Sequence, residues 1–309
     1  MLYTSRQKDA IVKGKQKRNA LIRATRQAAE SAIEINELRG GFKLDTILSG
    51  STGIGKTYNM KRELESSGVH YKEISGSAGF LYFAQMLMLE HAIFQQIKEE
   101  RGLEKLVIFI DDCDSFFARK DELNALKGMT GGEGSRKLQY NRIIQEHMMT
   151  PAQMQILDQY RNPNGAQGFT VPCDEVVFVI TTNFNLPSEN YANAYTKKHG
   201  PTGRANRLMD LAAVRRRFTC KDFVLEKETN WGWIAEVSLN DGLLDFLGKE
   251  PEAAFKKYVV LEWMWNNWDQ MTEHNLDTVK DLALHMHESP DSFKDIWEAD
   301  YIDAEMAQV

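Results

Sequence analysis

The stretch from Leu44 to Tyr58 constrains the fold of this chain more than any other. It reads Leu-Asp-Thr-Ile-Leu-Ser-Gly-Ser-Thr-Gly-Ile-Gly-Lys-Thr-Tyr, which satisfies the pattern G-x-x-x-x-G-K-[ST]. An apolar segment that ends at Leu48 precedes the glycines, and a segment compatible with a helix begins at Lys56. Because the pattern stands between a predicted strand and a predicted helix, it indicates a loop that wraps phosphate groups.

Each residue type in this loop has a physical task. Glycines permit positive φ angles and let backbone N–H groups converge on phosphate oxygens. The helix that begins near Lys56 directs the positive end of its dipole at the same anion, and the Lys56 ammonium is expected to bridge the outer phosphates. The Thr57 hydroxyl is the expected Mg²⁺ ligand. The predicted nucleotide-binding residues are Gly50, Ser51, Thr52, Gly53, Ile54, Gly55, Lys56, Thr57 and Tyr58.

A second apolar run, from Leu106 to Asp114, reads Leu-Val-Ile-Phe-Ile-Asp-Asp-Cys-Asp. Such a run is typical of a strand buried on both faces, and ligands of open α/β sheets bind at the carboxyl ends of the strands. Asp111 stands at that end and is expected to hold Mg²⁺, directly or through water. Asp112 is the expected base that polarises a water against the γ-phosphate.

A third buried strand is predicted from Glu175 to Thr182 and is followed by Asn183, whose amide can hydrogen-bond the γ-phosphate or the attacking water. Further on, Arg215-Arg216-Arg217 closes a short helix predicted over residues 208–214. This cluster has two interpretations. It complements the dipole of that helix, or one of the arginines enters the site of a neighbouring subunit and neutralises charge in the transition state.

The rest of the pattern completes an α/β domain with helical additions. One helix or two are predicted over residues 5–38, a strand over 70–75 and a helix over 80–99. Two helices, over 138–148 and 151–160, are predicted between the second and third buried strands; this insertion either decorates the domain or contacts a partner through Arg136, Lys137 and Arg142. From Asn230 onward a small helical domain is predicted, with a core formed by Trp231, Trp233, Trp263, Trp265, Trp268 and Trp297.

Charge is distributed unevenly along the 309 residues. The first 27 residues contain one acid, Asp9, and the bases Arg6, Lys8, Lys13, Lys15, Lys17, Arg18, Arg23 and Arg26. After Arg217 the chain has no arginine, and acids outnumber lysines. The basic segment is interpreted as an arm for nucleic acid, as one of two opposite surfaces that attract neighbouring subunits, or as a solvated helix face.

Cysteine spacing and hydropathy indicate in which cellular compartment the protein is found. Cys113, Cys173 and Cys220 are far apart and form no C-x-x-C pair, so neither disulfides nor a zinc site are expected. No apolar run has the roughly 20 residues that span a bilayer, and the basic N-terminus does not resemble a secretory signal. The sequence therefore predicts a cytoplasmic protein without membrane association.

The turn Gly79-Phe80-Leu81-Tyr82-Phe83 has two interpretations. It is the first apolar turn of a core helix, or it is an aromatic loop that grips a polymer in a central pore. The first interpretation is preferred because an apolar helical pattern continues from it.

The order of these motifs resembles that of the AAA+ ATPases. The Gly50–Thr57 loop, the strand before Asp112, the strand before Asn183 and the arginines before Phe218 stand where Walker A, Walker B, sensor 1 and the arginine finger stand in that family. The resemblance implies an α/β P-loop (AAA+) parallel sheet flanked by helices and a small all-helical lid. It also implies ATP and ADP as nucleotides, Mg²⁺ as cofactor, Arg217 as the finger with Arg216 or Arg215 as substitutes, and assembly into a homo-oligomeric ring or spiral, most often a hexamer.

The implied domains are a basic N-terminal helical arm over residues 1–41, the nucleotide-binding domain over 42–228 with a helical insertion at about 128–170, and the lid over 229–309. Two departures from the family pattern stand out. Asp112 occupies a position where many members carry Glu, and the lid lacks the usual sensor 2 arginine, for which Lys280 is a possible substitute. Asp-Asp-Cys-Asp at 111–114 and Ile-Ser-Gly-Ser-Ala-Gly at 74–79 look most like the AAA+ ATPases of tailed bacteriophages, which would place the protein in the host cytoplasm.

The chain is therefore predicted to be an oligomeric ATPase that converts ATP into ADP and phosphate at subunit interfaces, with Asp112, Asn183 and Arg217 as catalytic residues. Its work is predicted to be on nucleic acid, as a DNA replication or recombination motor or loader, because of the basic arm and the bases Lys197, Lys198, Arg204 and Arg207. The alternatives are a remodeller that threads a protein through a pore, and a nucleotide-gated assembly factor with little turnover.

Overall fold

The computed structural model describes residues 3–33, 45–75, 79–112, 114–130, 136–144, 146–163, 166–248 and 250–303. The helices are α1 Ser5–Ile33, α2 Lys56–Ser67, α3 Phe80–Arg101, α4 Lys120–Met129, α5 Pro151–Tyr160, α6 Glu189–His199, α7 Gly203–Arg215, α8 Lys227–Asn240, α9 Pro251–Asn267, α10 Leu276–Glu288 and α11 Phe293–Tyr301. The strands are β1 Thr46–Gly50, β2 Tyr71–Ser75, β3 Leu106–Asp111, β4 Lys137–Tyr140, β5 Phe169–Pro172, β6 Val176–Thr182 and β7 Thr219–Phe223. No helix in these ranges combines the length and apolar character needed to cross a bilayer.

Packing divides the chain into two units. One unit contains Met1–Arg23, Ser51–Lys56 and Phe223–Val309, and the other contains Ala24–Gly50 and Thr57–Asp222. The first part of α1, which the sequence set apart as an arm, therefore shares a unit with the C-terminal helices. The predicted continuation of α1 to residue 38 lies outside the described residues.

A five-stranded sheet in the order β2-β3-β6-β1-β7 forms the centre of the larger unit. β2 pairs with β3, β3 with β6 and β6 with β1, all in parallel. Every residue of β6 is buried, which explains why its sequence from Val176 to Ile180 is a continuous apolar run rather than an alternating one. β1 is buried along its whole length too, although it includes Thr46 and Ser49. The α/β parallel-sheet prediction is confirmed.

Strand register brings the polar strand ends together. Asp111 at the end of β3 lies opposite Thr181 of β6, and Ser49 of β1 lies opposite Thr182. Because parallel strands end at one edge of the sheet, side chains that are far apart in sequence meet there.

The prediction of a helix over residues 138–148 is wrong. Residues 137–140 form β4, which pairs antiparallel with β5, and a short 3-10 helix covers Glu146–Met148. In β4 the buried side chains of Leu138 and Tyr140 alternate with exposed ones, which is the period of a half-buried strand. Four residues are too few for the sequence to distinguish this period from a helical one. The predicted helix over 151–160 is confirmed as α5.

The polar stretch from 190 to 207, to which the sequence analysis assigned no element, contains α6 and the start of α7. Each helix begins after a hydroxyl cap: the Ser188 side chain accepts from the Tyr191 N–H, and the Thr202 side chain accepts from the Ala205 N–H. Few side chains of α6 are buried, so the apolar stripe that normally reveals a helix is weak.

Four of the six tryptophans lie in the core of the smaller unit as predicted, whereas Trp263 and Trp265 are only partly buried against it. Trp231, Trp233 and Trp297 are fully buried, and Trp268 is nearly so. The indole N–H of Trp231 donates to the Leu261 carbonyl at 2.9 Å, and that of Trp297 donates to Leu282 at 3.0 Å, so these buried polar atoms are satisfied.

The same unit contains a close crossing of α1 and α8. A Cβ atom built on Gly232 would lie 1.9 Å from the Ala10 carbonyl oxygen, and one built on Gly14 would lie 2.2 Å from the Gly232 carbonyl carbon. The two helix backbones therefore touch, and only glycine fits at these positions. Although the first half of α1 is rich in bases, Ala10 and Gly14 give it a buried face on the side opposite to them.

Candidate active site

The loop between β1 and α2 has the backbone that its glycines permit. Gly53 and Gly55 take positive φ angles of 73° and 78°, in the left-handed region that glycine enters without a Cβ clash. Lys56, the first residue of α2, is 7 % exposed, and its Nζ donates to the Ser51 carbonyl at 2.9 Å. The ammonium is thus held on the loop, where the sequence expects phosphate oxygens.

Asn275, which was not predicted from the sequence, packs against this loop. A Cβ built on Gly53 would be only 2.4 Å from the Cβ of Asn275, which lies in the same unit. The Asn275 side chain also caps α10, because its Oδ1 accepts from the Thr278 N–H at 2.8 Å. Lys280, the candidate named from the sequence, lies further along this helix. The start of the helix, at Asn275, is the part that contacts the loop. The N-cap position of Asn275 was visible in the sequence, whereas its contact with Gly53 was not.

The predicted metal ligands meet in the larger unit. The Thr57 hydroxyl donates to Asp111 Oδ1 at 2.6 Å, and the Thr181 hydroxyl donates to the same carboxylate oxygen. Thr181 was not predicted, although the pair Thr181-Thr182 directly before Asn183 was a signal.

A hydroxyl and a carboxylate oxygen in contact are hard ligands of the type that Mg²⁺ prefers. The described residues contain no cluster of three or more His, Cys, Asp or Glu side chains suited to a metal ion. Mg²⁺ commonly binds through one or two protein oxygens and completes its shell with water and phosphate oxygens. The residues at Thr57 and Asp111 therefore fit this ion better than a metal held by protein ligands alone.

Asp112 and Asn183 form the second predicted contact. The Asn183 Nδ2 donates to Asp112 Oδ1 at 3.1 Å, and both side chains are exposed. Asp112 has a φ of 50°, and among the described residues it alone combines a side chain with a positive φ. This conformation turns the chain directly after β3, while the Asp112 N–H donates to the Thr181 carbonyl at 3.2 Å. A carboxylate beside an amide at a strand end can accept a proton from a water that the amide orients.

The three arginines after α7 stand in different environments. Arg215 is held by the Asp222 carboxylate and the Leu186 carbonyl, and the Asp222 partner raises its pKa. Arg217 is partly buried, its Nη1 donates to the Ala213 carbonyl at 2.9 Å, and burial lowers its pKa, followed by the positive charge of Arg216. The Arg216 side chain is 64 % exposed and lies 3.6 Å from Glu189.

The aromatic turn at the start of α3 belongs mainly to the core, as the preferred interpretation had it. Phe83 is fully buried and packs edge-to-face on Phe116 with ring centroids 4.7 Å apart. Tyr82 is the exception, because it is 54 % exposed.

Comparison with known proteins agrees with this geometry. Residues 46–193 match the family model described as "ATPase family associated with various cellular activities (AAA)". The matched segment begins with β1 and contains the loop, the acids at the end of β3 and Asn183. A search of curated proteins found no match.

Proposed function

We propose, on the premise that residues 46–193 form an AAA ATPase domain, that this protein hydrolyses ATP to ADP with Mg²⁺ at the interfaces of a homo-oligomer. The single observation that carries the proposal is the double contact at the strand ends. Thr57 meets Asp111 there, and Asn183 meets Asp112. Metal ligation and water activation require these two pairs side by side at the carboxyl edge of a sheet.

The loop residues from Gly50 to Tyr58 are proposed to bind the nucleotide. Backbone N–H groups around Gly53 and Gly55 would donate to phosphate oxygens, and the Lys56 ammonium would exchange the Ser51 carbonyl for the outer phosphates. Mg²⁺, when bound through Thr57 and Asp111, supplies charge neutralisation at the phosphates.

Asp112 is proposed to take the proton of the attacking water, and Asn183 to orient that water. Asp is one methylene shorter than the Glu that many family members carry. The positive φ of Asp112 turns the backbone so that its carboxylate lies beside Asn183. A strained residue at this position suits a functional site, where tertiary contacts maintain an unfavourable backbone.

Assembly into a ring or spiral, most often a hexamer, is part of the proposal because the catalytic arginine is expected from a neighbouring subunit. Arg217 is the proposed finger, and exposed Arg216 is the first substitute. Arg215 is the weakest candidate because Asp222 restrains it.

The proposed work is on nucleic acid, as a replication or recombination motor or loader. The alternative of a protein remodeller rests on the exposed ring of Tyr82. A nucleotide-gated assembly factor with little turnover is the third candidate, because the lid lacks an arginine. The narrower kinship with tailed-bacteriophage ATPases and the cytoplasmic location stay predictions.

The test of the ATPase proposal compares Lys56→Ala with Asp112→Asn. We expect Lys56→Ala to weaken ATP binding roughly ten- to a hundredfold, as loss of a hydrogen bond to a charged group does. Asp112→Asn should bind ATP as the wild type does and lose roughly 10²- to 10⁴-fold in turnover, the contribution of a general base. Fluorescent-nucleotide titration and phosphate release measure the two effects separately.

Asp121→Asn, which neutralises an exposed carboxylate on α4, is the matched control and should retain turnover. Normal hydrolysis by Asp112→Asn would show that the base is assigned wrongly. Unchanged nucleotide affinity in Lys56→Ala would sink the assignment of the loop.

A further inference from the structure

The turn between α6 and α7 presents a concentrated positive charge. Lys197, Lys198 and His199 form the last turn of α6, and Arg204 is in the first turn of α7. All four side chains are exposed, and no carboxylate in the described ranges lies within ion-pair distance of them. The two acids of these helices are engaged elsewhere, since Glu189 pairs with Arg216 and Asp210 with Lys127.

Two of these four side chains, those of His199 and Arg204, contact the same tyrosine ring. The Tyr195 ring lies 4.4 Å from the His199 ring, and the Arg204 guanidinium lies over the Tyr195 ring, 5.3 Å from its centroid. The turn itself is fixed, because the Gly200 N–H donates to the Thr196 carbonyl at 2.8 Å. A positive surface that is ordered before binding loses less conformational entropy when it meets a ligand.

Part of the positive charge of α1, which was one of the two basic segments behind the nucleic-acid prediction, is paired with acids of the same unit. Arg6 binds Glu228 with its Nε at 2.9 Å, and Arg18 binds Asp241. Lys15 and Arg18 both lie near the buried carboxylate of Glu236, at 3.6 and 3.8 Å. These bases already pair with acids of α8 and its C-terminal end, and displacing Lys15 and Arg18 from the buried Glu236 carboxylate would be unfavourable.

We propose that the α6–α7 turn, through Lys197, Lys198, His199 and Arg204, is the surface that binds the phosphate backbone of a nucleic acid. This inference rests on the proposed work on nucleic acid and, of the two basic segments from which that work was predicted, assigns the contact to the one in the larger unit. Tyr191, 53 % exposed, stands four residues before Tyr195 and hence on the same face of α6. Aromatic rings among cations are typical of single-strand binding surfaces, where bases stack on the rings. An acidic peptide would use the cations but would not need the rings.

The test replaces Lys197, Lys198 and Arg204 together by Gln in the full chain. The probes are a fluorescein-labelled 30-nucleotide oligo-dT strand and a labelled 30-base-pair duplex, titrated by fluorescence anisotropy at several NaCl concentrations. We expect the affinity for oligo-dT to fall roughly tenfold or more. The slope of log affinity against log salt should fall by about 0.7 for each single-strand phosphate that the variant no longer neutralises, and by about 0.9 for each duplex phosphate.

The matched control removes the same charge from exposed positions of α1 by replacing Lys13, Lys17 and Arg23 with Gln, and should bind both probes as the wild type does. Tyr191→Ala should weaken oligo-dT binding more than duplex binding, because only unpaired bases stack on the ring. Both triple variants keep every residue assigned to the ATPase site, so their turnover without nucleic acid should equal that of the wild type.

Three binding results would overturn the proposal. They are loss of binding in the α1 variant alone, equal binding by all variants, and no binding of either probe by the wild type. A changed elution volume of the α6–α7 variant with unaltered probe binding would assign the turn to contact between subunits and also overturn it. Failure of the ATPase proposal is distinct, because it would appear as absent turnover in the wild type whichever variant binds the probes.

Discussion

Gly53 is constrained in two independent ways. Its φ of 73° is unfavourable for any residue with a Cβ, and the space that a Cβ would occupy is taken by Asn275. The first constraint is local to the backbone, while the second couples the loop to the start of α10 within one packing unit. A substitution at Gly53 should therefore disturb the nucleotide loop and the helix together.

We predict that Gly53→Ala lowers the free energy of unfolding by about 2–4 kcal/mol, the sum of left-handed strain and overpacking. Gly68→Ala is the matched control, because Gly68 has a φ of 69° but nothing within 4 Å of the position that an alanine methyl would occupy. It should cost about 1–2 kcal/mol through strain alone. Denaturant titration of both variants measures the difference, and equal destabilisation would contradict the contact with Asn275.

Asp112 shows how one backbone angle can place a functional group. Two consecutive residues of an extended strand point to opposite faces of the sheet. With a φ of 50°, Asp112 leaves the extended path just after Asp111, and its carboxylate reaches Asn183 instead. Aspartate tolerates the left-handed region better than most residues, which makes it a natural choice at this position.

At the scale of elements, the α1–α8 crossing is the most specific packing in the smaller unit. Helices normally pack with their axes about 8–10 Å apart because side chains separate them. Here Gly14 and Gly232 remove those side chains, and the backbones meet at Ala10. The ion pairs of Arg18 with Glu236 and Asp241 surround the same contact and satisfy a buried carboxylate.

We predict that Gly232→Ala destabilises the protein by about 1–3 kcal/mol through overpacking, although alanine is favoured over glycine in a helix by about 1 kcal/mol. Gly203→Ala serves as control, because Gly203 is also helical and has open space around its Cβ position. Circular-dichroism melting should separate the two variants by several degrees. Equal melting temperatures would mean that the helices can separate without cost.

At the scale of the whole molecule, the proposed mechanism assigns one of the three arginines after α7 to the site of a neighbouring subunit. Arg217 has no acidic partner among the described ion pairs, whereas Arg215 and Arg216 each have one. If one subunit binds the nucleotide and its neighbour supplies the arginine, a defect in each function can be placed on a different subunit of the same assembly. Mixtures of two variants therefore test whether the active site is shared between subunits.

We predict that Arg217→Ala binds nucleotide normally and loses roughly 10³- to 10⁵-fold in turnover, the contribution of an arginine finger. Mixing it with Lys56→Ala should restore part of the activity, because Lys56→Ala subunits offer an intact arginine to the intact loops of their neighbours. Phosphate release by the mixture is the measurement. If Arg217, Arg216 and Arg215 can each be replaced by Ala without effect, the interface mechanism fails.

The nucleotide loop, the three buried strands around it and the helical C-terminal region could be predicted from the order of the residues alone. These are local properties: glycine spacing permits the loop, and continuous apolar runs require strands covered on both faces. The sequence also placed Asp111, Asp112 and Asn183 at strand ends. Their roles in catalysis stay predictions, but their proximity followed from parallel strands ending at one edge.

Which groups distant in sequence come into contact depends on how the elements pack. Strand β4 is recognisable through its pairing with β5, because four residues are too few to establish a period. The contact of Thr181 with Asp111 depends on the register of two strands, and that of Asn275 with Gly53 on the packing of a helix more than 200 residues away. The bases of the N-terminal segment have almost no acidic neighbours in the sequence, but in the folded protein Lys15 and Arg18 pair with Glu236 of α8. Charge balance is therefore a property of neighbours in space rather than in sequence.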